Sequence, residues 1–314
     1  MTPENDIEVQ IQKLQEKFAK EGQDLAPYLE GLYHSRHVDY WEYLNIDALL
    51  NLQNPRTAFP DEMVFIIYHQ ITELYFRLTL WELNQITAIP LPTPAFFKER
   101  LKRMINYFTN LTHSFTIMID GMDPEQFKKF RLALYPASGF QSAQYRMIEL
   151  SSTDVLNLLH IDYREGMKGK PVAEQVNYIY WRYGATETAT GKKSLTLQRF
   201  EEKYNDQLLS LAQERQKDNL WQKFLQLKNG GKTDDELENL LRDYDHLVNV
   251  EWPMQHYKSA ARYLSSIGGK AIPATGGTNW QKYLPPRHQK RMFYPELWNA
   301  EQTETWGVPK KITR

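Results

Sequence analysis

The segment that decides the fold is Glu62–Ala88, which reads EMVFIIYHQITELYFRLTLWELNQITA. Its apolar side chains recur every three or four positions and so share one broad helical face: Val64, Phe65, Ile67, Tyr68, Ile71, Leu74, Tyr75 and Leu78. Asp61 and Glu62 favour a helix start here, because acidic side chains stabilise the positive N-terminal end of a helix. The sequence therefore predicts a long amphipathic helix over residues 62–88.

The rest of the chain is predicted to be mostly helical, with no period-2 pattern typical of strands. Further helices are expected at about 6–22, 95–120, 123–134, 141–160, 196–228 and 233–267. Pro253 predicts a kink in the last of these, because proline removes a helical hydrogen bond. Four glycines lie within 163–195, where we expect a loop or mobile excursion with a short helix around 172–182. The predicted fold class is all-α: one helical-bundle domain over residues 1–314 with a small inserted excursion at 163–195.

Composition excludes several classes of function. The 314 residues contain 38 Lys and Arg against 39 Asp and Glu, which gives no electrostatic footprint for nucleic acid or an anionic membrane. The absence of cysteine excludes disulfides, a thiolate nucleophile, cysteine-ligated zinc and thiolate-ligated haem. No segment approaches the roughly 20 apolar residues of a membrane span, and the polar N-terminus does not resemble a signal peptide. We expect a cytoplasmic protein.

Histidine is thus the residue type to examine for metal chemistry. His34 and His37 have the spacing of a zinc pair but no nearby third ligand, and surface histidines are the favoured interpretation. His160-Ile161-Asp162 has the form of half an iron-binding triad, a short pattern that is common by chance. His69 lies in the apolar helix, where periodicity favours a buried, hydrogen-bonded core histidine. His256 follows Trp252 by one turn and, from its local sequence, is an ordinary helix residue.

One turn has the character of an anion site. Arg131 lies near a predicted helix end, and the sequence from Pro136 through Ser138 and Gly139 forms a tight turn before the next helix. Backbone N–H groups at a helix start and a guanidinium both suit a carboxylate ligand. A surface salt bridge or a cap is the alternative on these residues alone. The hydroxyl-bearing loop at Thr275 suits closure over a ligand, or is a plain turn.

Taken together, these stretches resemble the tryptophan 2,3-dioxygenase family. The core His69-Gln-Ile-Thr-Glu-Leu is similar to the family's distal-pocket helix, and Phe130-Arg131 followed by PASGFQSAQYRMIE (136–149) resembles its most specific signature. Weaker matches occur at Tyr40–Leu50, Trp252-x-x-x-His256, Ala274–Gly277 and Phe293–Trp298. The matches follow the family order between residues 40 and 298.

The resemblance implies a haem enzyme that uses O2 to open the indole ring of L-tryptophan, giving N-formyl-L-kynurenine in the kynurenine pathway. It implies that His256 is the axial ligand of haem b, ferrous in the active state. His69 would lie distal, near the indole N–H, with Phe65 against the indole ring.

The same resemblance implies roles for the remaining candidates. Arg131 would bind the substrate carboxylate, and Ser138 and Gly139 would line the distal side near O2. Thr275 would hold the amino-acid end of the substrate and close the site. Tyr40 and Tyr43 would enter a neighbouring subunit's pocket, which implies a homotetramer.

The chain also departs from the family pattern. Pro253 and Gln255 replace two arginines beside the haem-ligand histidine, and Phe127 stands where some members have tyrosine. The stretch between His256 and Thr275 is a few residues longer than is usual in the family. Two alternatives therefore stay open: a related haem enzyme that oxygenates or hydroxylates another indole or aromatic amino acid, and a non-catalytic sensor of haem or tryptophan.

Overall fold

A computed structural model describes residues 3–35, 38–187, 190–264 and 284–308. Most of these residues are helical, and the extended pairing among them is limited to the isolated bridges Leu159–Ile179 and Thr186–Lys193. The all-α prediction is therefore confirmed. Within the described part of the chain, no helix combines the length and apolarity needed to span a membrane.

The helices fall into two compact units, residues 1–54 and 55–314. The helices of the first unit are α1 (Pro3–Lys20), α2 (Ala26–Tyr33), α3 (Tyr40–Leu44) and α4 (Ile46–Leu49). Phe18 of α1 contacts Tyr28 of α2, with ring centroids 4.5 Å apart. Most other apolar side chains of this unit are exposed, including Tyr40 (71%) and Tyr43 (76%).

The second unit contains the long helices. They are α5 (Asp61–Ala88), α6 (Pro94–Ser114), α7 (Thr116–Asp120), α8 (Pro124–Phe130), α9 (Ala143–Ser152), α10 (Val155–Leu158), α11 (Ile161–Arg164), α12 (Val172–Gln175), α13 (Tyr180–Gly184), α14 (Leu195–Glu214), α15 (Leu220–Asn229), α16 (Asp235–His246), α17 (Trp252–Leu264), α18 (Pro286–Gln289) and α19 (Ala300–Glu304). Short 3-10 turns lie at Arg131–Leu134, Gly139–Gln141, Val176–Tyr178 and Pro295–Leu297. The single-domain organisation stays a prediction.

Helix α5 forms the centre of the second unit. It packs against α6 and α9, and its core face contains Phe76, Leu80, Leu83 and Ile86, all buried. The N-terminus of α6 is capped by Thr93, whose hydroxyl accepts the N–H of Phe96 at 3.3 Å. The long helix predicted at 62–88 is confirmed, and its C-terminal half is held in the core.

Segment 163–195 is helical in part. The helix expected around 172–182 is present as α12, a 3-10 turn and α13. Val172, Val176, Ile179, Trp181 and Ala185 are buried in the main hydrophobic core. The short helix is therefore present, while the expectation of a loop or mobile excursion over the whole segment stays a prediction.

Several predicted helices are divided. The helix expected at 196–228 is interrupted between α14 and α15, where Asn219 caps α15 by accepting the N–H of Gln222 at 3.0 Å. The helix expected at 95–120 is divided at Phe115, and the one at 141–160 at Thr153. Each division lies where a capping side chain or a buried residue competes with helix continuation.

The kink expected at Pro253 takes the form of a π-helical turn at Leu247–Glu251, between α16 and α17. A proline ring clashes with the carbonyl four residues before it, here that of Asn249, and leaves that carbonyl without its helical donor. A wider turn relieves this clash without ending the helix. Residues 235–264 therefore form one nearly continuous rod that ends in the helix of His256.

Candidate functional site

An aromatic cluster joins the elements that carry the predicted site residues. Its members are Tyr68 of α5, Phe115 between α6 and α7, Phe127 and Phe130 of α8, and Tyr263 of α17. The ring centroids of Phe127 and Tyr263 are 4.8 Å apart, and those of Tyr68 and Phe115 are 5.5 Å apart. Both His69 and His256 border this aromatic cluster.

His69 is held by its own helix. Its Nδ1 lies 2.7 Å from the carbonyl oxygen of Phe65. Because a carbonyl only accepts, Nδ1 carries the hydrogen in this geometry, and Nε2 of the neutral ring keeps its lone pair. Burial lowers the pKa of His69, while the Phe65 carbonyl and the Glu73 carboxylate oppose that effect. His69 is thus a neutral hydrogen-bond acceptor at pH 7.

Phe65 lies beside His69, with ring centroids 4.1 Å apart. It also packs on the aromatic cluster, 5.8 Å from Phe130 and 6.1 Å from Phe127. The three phenyl rings and the imidazole therefore form one apolar surface with a single polar atom, Nε2 of His69. Such a surface suits a flat aromatic ligand that carries one N–H donor.

His256 projects from α17 on the other side of the aromatic cluster. Its ring stacks on Phe115 at 6.0 Å and lies 6.0 Å from the ring of Trp252. Burial, followed by the charge of His69, lowers the pKa of His256 to about 4. The imidazole is neutral at pH 7, and its ring nitrogens have no hydrogen-bond partner among the described residues. A neutral imidazole in apolar surroundings is suited to bind a metal.

The Ser138–Gly139 turn faces the ring of His256. A Cβ built on Gly139 would lie 3.7 Å from Cε1 of His256. Gln141 orders the turn by accepting the N–H of Ser138 at 3.1 Å and donating to the carbonyl of Thr196 at 3.1 Å. Glycine therefore keeps the space over the imidazole clear of side-chain atoms.

Arg131 opens the 3-10 turn that follows α8, directly after Phe130 of the aromatic cluster. It is 5% exposed, and burial lowers the pKa of its guanidinium. An anionic ligand gains more from a buried guanidinium than from a surface arginine, because water screens the buried pair less. The structure thus brings Arg131, Phe65, His69, Ser138, Gly139 and His256 together on elements that pack around one cluster.

The other candidates are not brought together in this way. Thr275 and the Ala274–Gly277 match lie outside the described residues, as does His37. Tyr40 and Tyr43 belong to the first unit. Nδ1 of His160 accepts the N–H of Asp162 at 3.5 Å, and its ring stacks on Tyr183 at 3.9 Å, which accounts for it as a capping residue. No metal-binding group of three His, Asp or Glu side chains occurs in the described part of the chain.

Sequence reasoning missed Phe115 and Arg291. Phe115 stacks on His256 but belongs to no motif, because it lies at a helix junction. Arg291 is 4% exposed and pairs with Glu149 at 2.6 Å. The available signal was Glu149 itself, a charged residue on a helix with few exposed positions, which needs a buried partner.

Comparisons with known proteins point to one family. The family model described as tryptophan 2,3-dioxygenase matches residues 32–168. The tryptophan 2,3-dioxygenase of Ruegeria pomeroyi is 30% identical over 284 residues, which cover 87% of this chain and 96% of the relative. That of Bacillus anthracis is 30% identical over 286 residues, covering 84% and 92%. That of Bradyrhizobium diazoefficiens is 40% identical over 129 residues, covering 40% and 46%.

Proposed function

Because the chain belongs to the tryptophan 2,3-dioxygenase family, we propose that it catalyses the O2-dependent opening of the indole ring of L-tryptophan. The product is N-formyl-L-kynurenine, in the kynurenine pathway. The observation that most supports this is the placement of two neutral histidines, His69 and His256, against one aromatic cluster. His69 suits an indole N–H, and His256 suits an iron.

The residues around His256 fit haem b. The chain has no cysteine, so a thiolate ligand to the haem iron is excluded, and histidine is a common alternative. His256 has a neutral ring whose nitrogens are without partners in the described part of the chain, and Gly139 leaves space over that ring. The indole N–H of Trp252, one turn before His256, is buried and also lacks a partner among the described residues. When bound, ferrous haem supplies an iron that binds and activates O2.

The chain's own residues orient the substrate. Phe65, Phe127 and Phe130 provide the apolar surface for the indole ring. Nε2 of His69 accepts the hydrogen bond from the indole N–H. Because burial lowers the pKa of His69, the residue is a weak base. Its role is to position the indole rather than to remove its proton.

Arg131 binds the substrate carboxylate. A guanidinium can hold a carboxylate through two parallel hydrogen bonds, and burial strengthens the pair because water screens it less. Ser138 and Gly139 would line the site near bound O2, where their small size leaves room for it. Thr275 holds the amino-acid end of the substrate and closes the site.

Tyr40 and Tyr43 complete the site of a neighbouring subunit in a homotetramer. Support comes from their exposure, since 71% and 76% of their surfaces are accessible in the isolated chain. Exposed aromatic side chains on one unit are typical of surfaces that become buried on association.

The experiment that tests the proposal is turnover by the purified, haem-loaded, reduced protein in air with L-tryptophan. The expected product carries two added oxygen atoms and is followed by its absorbance and by mass spectrometry. Lack of any product from protein that contains ferrous haem would refute the proposal. One added oxygen on another aromatic amino acid would favour the hydroxylating alternative, and a spectral change without product would favour the sensor.

A further inference from the structure

Two arginines and one glutamate form a buried cluster behind the candidate site. Arg146 and Glu149 lie on α9, and Arg291 lies in the C-terminal segment after α18. Nη1 of Arg146 is 2.9 Å from Oε2 of Glu149, and Nη1 of Arg291 is 2.6 Å from Oε1 of the same carboxylate. The side chains are 7%, 1% and 4% exposed, respectively. We refer to these three residues as the Arg–Glu–Arg cluster.

One side of the Arg–Glu–Arg cluster holds the turn opposite His256. Nη2 of Arg146 donates to the carbonyl oxygen of Phe140 at 3.2 Å. Phe140 directly follows Gly139, the residue whose Cβ would lie 3.7 Å from the His256 ring. The position of the Ser138–Gly139 turn therefore depends on where Arg146 holds the carbonyl of Phe140.

The other side holds the π-helical turn that leads into α17. Nη2 of Arg291 lies 2.6 Å from the hydroxyl of Tyr145, which donates to the carbonyl of Val248 at 3.2 Å. Nε of Arg291 donates to Oδ1 of Asn249. Val248 and Asn249 belong to the π-helical turn, whose wider geometry leaves backbone groups in need of partners outside the helix. Arg291 thus fixes the start of the His256 helix.

A second buried carboxyl group, that of Asp245, lies next to the Arg–Glu–Arg cluster. The amide of Asn249 connects Arg291 to Asp245, whose carboxylate accepts four N–H groups, those of Asn249, Phe293, Tyr294 and Trp298. The two buried guanidinium groups therefore share the carboxylate of Glu149, whereas neutral N–H groups satisfy Asp245. Burying ion pairs contributes little net stability, because desolvation offsets their attraction. The arrangement is better explained by the geometry that it imposes than by the stability that it adds.

We propose that the Arg–Glu–Arg cluster sets the spacing between the Ser138–Gly139 turn and His256, with Arg291 as a positioning residue for haem. The inference rests on the proposed function, since it concerns the group that His256 would hold. Arg291 acts through Tyr145 and Asn249, and touches neither the substrate nor the reacting atoms.

The test compares two arginines that both hold the C-terminal segment. Arg164 donates from Nη2 to the carbonyl of Lys290 at 3.3 Å and from Nε to the carbonyl of Leu159 at 3.0 Å, without contact to Glu149. Arg291→Met removes the ion pair of Arg291 with Glu149 and leaves that of Arg146. Arg164→Met removes only the hydrogen bonds to the carbonyls of Lys290 and Leu159. Haem-free wild type, Arg291→Met and Arg164→Met are titrated with hemin, and the iron–histidine stretching frequency of each ferrous complex is measured by resonance Raman spectroscopy.

We expect Arg291→Met to weaken haem binding by at least tenfold and to broaden or shift the iron–histidine band. Arg164→Met should bind haem within about twofold of the wild type. An unchanged Kd and band in Arg291→Met would overturn the proposal. Equal losses in both variants would also overturn it, because a loosened C-terminal segment would then suffice.

A second variant keeps the test valid if Arg291→Met does not fold. Tyr145→Phe retains the aromatic ring but removes the hydroxyl between Arg291 and the carbonyl of Val248. The expected result is a shifted iron–histidine band in a folded protein, and a wild-type band would contradict the proposal. Wild-type protein that binds no haem at all would instead refute the proposed function, so the two failures are distinguishable.

Discussion

Gly139→Ala adds one carbon atom, which should weaken haem binding without destabilising the haem-free protein. Among the described residues, the added Cβ would contact only Cε1 of His256 within 4 Å, at 3.7 Å, an ordinary van der Waals distance. Gly139 does not have the positive φ that would make a side chain costly there. We therefore expect the haem-free protein to unfold at the same temperature as the wild type, or slightly higher, because replacing glycine at a compatible position stabilises by about 0.4–1 kcal/mol.

The same methyl group lies in the space over the imidazole that the proposed haem requires. Inserting a methyl group into a filled site costs about 1–3 kcal/mol. At 1.4 kcal/mol per tenfold change, haem affinity should fall by roughly 5- to 150-fold. The larger side chain of Gly139→Val should lower haem affinity by more than this range.

The assay is a hemin titration of the haem-free protein, paired with its thermal unfolding curve. Gly166→Ala is the matched control, since its Cβ would approach only the carbonyl of Tyr163 at 3.9 Å, in α11. Wild-type haem affinity in Gly139→Ala would refute the placement of this turn against the haem-binding side of His256. A lower unfolding temperature of the haem-free variant would refute the packing argument.

The remaining predictions concern four single residues. His256→Ala should fold but lose tight haem binding, and a normal Soret band in this variant would exclude His256 as the ligand. Arg131→Met should raise KM for tryptophan and lower kcat/KM, with a loss of transition-state stabilisation of about 2–5 kcal/mol, because the carboxylate loses a buried charge partner. An unchanged KM would contradict this. His69→Phe should retain the Soret band and lower kcat/KM about 2- to 13-fold, the equivalent of one neutral hydrogen bond of 0.5–1.5 kcal/mol, and full turnover would exclude a positioning role. Burial raises the pKa of Glu62, but hydrogen bonds from Thr57 and from two backbone N–H groups outweigh it, so the folded pKa is lowered. The stability from Glu62 is thus complete above the unfolded pKa of 4.5 and is lost as pH falls through the folded value. Glu62→Gln should therefore lower the stability at pH 7 and flatten its decline in acid; parallel stability curves for variant and wild type would show that Glu62 does not contribute in this way.

Regular periodicity explains what the sequence could predict of the fold. Helix α5 is long and apolar on one broad face, so its existence and its limits near Asp61 and Ala88 follow from the pattern. The division between α14 and α15 does not, because Arg215–Asp218 are polar residues that a helix surface also accepts. Only the capping contact of Asn219 ends the regular pattern, and that contact depends on the three-dimensional arrangement.

Candidate site residues that lie within short sequence motifs could be predicted. Residues that only the fold brings to the site could not. His69, Arg131 and Ser138 lie in motifs, and the structure places them on elements around one cluster. Phe115 contacts His256 from a helix junction more than 100 positions earlier in the chain, and no local pattern marks it. Arg291 lies as far from Glu149 in sequence, so its role depends on tertiary contact alone.

The π-helical turn also determines the rotational phase of the rod that contains Asp245 and His256. Eleven residues separate the two, close to three full turns of an ideal α-helix, which would place both on the same side. A π-helical turn takes up about one extra residue, or about 100° of helical rotation. Asp245 can thus bind the backbone of Phe293 and Tyr294, while His256 faces Phe115 and the aromatic cluster. The helices on the two sides of the turn thereby contact two different regions of the protein, and the length of the Leu247–Glu251 turn sets the angle between them.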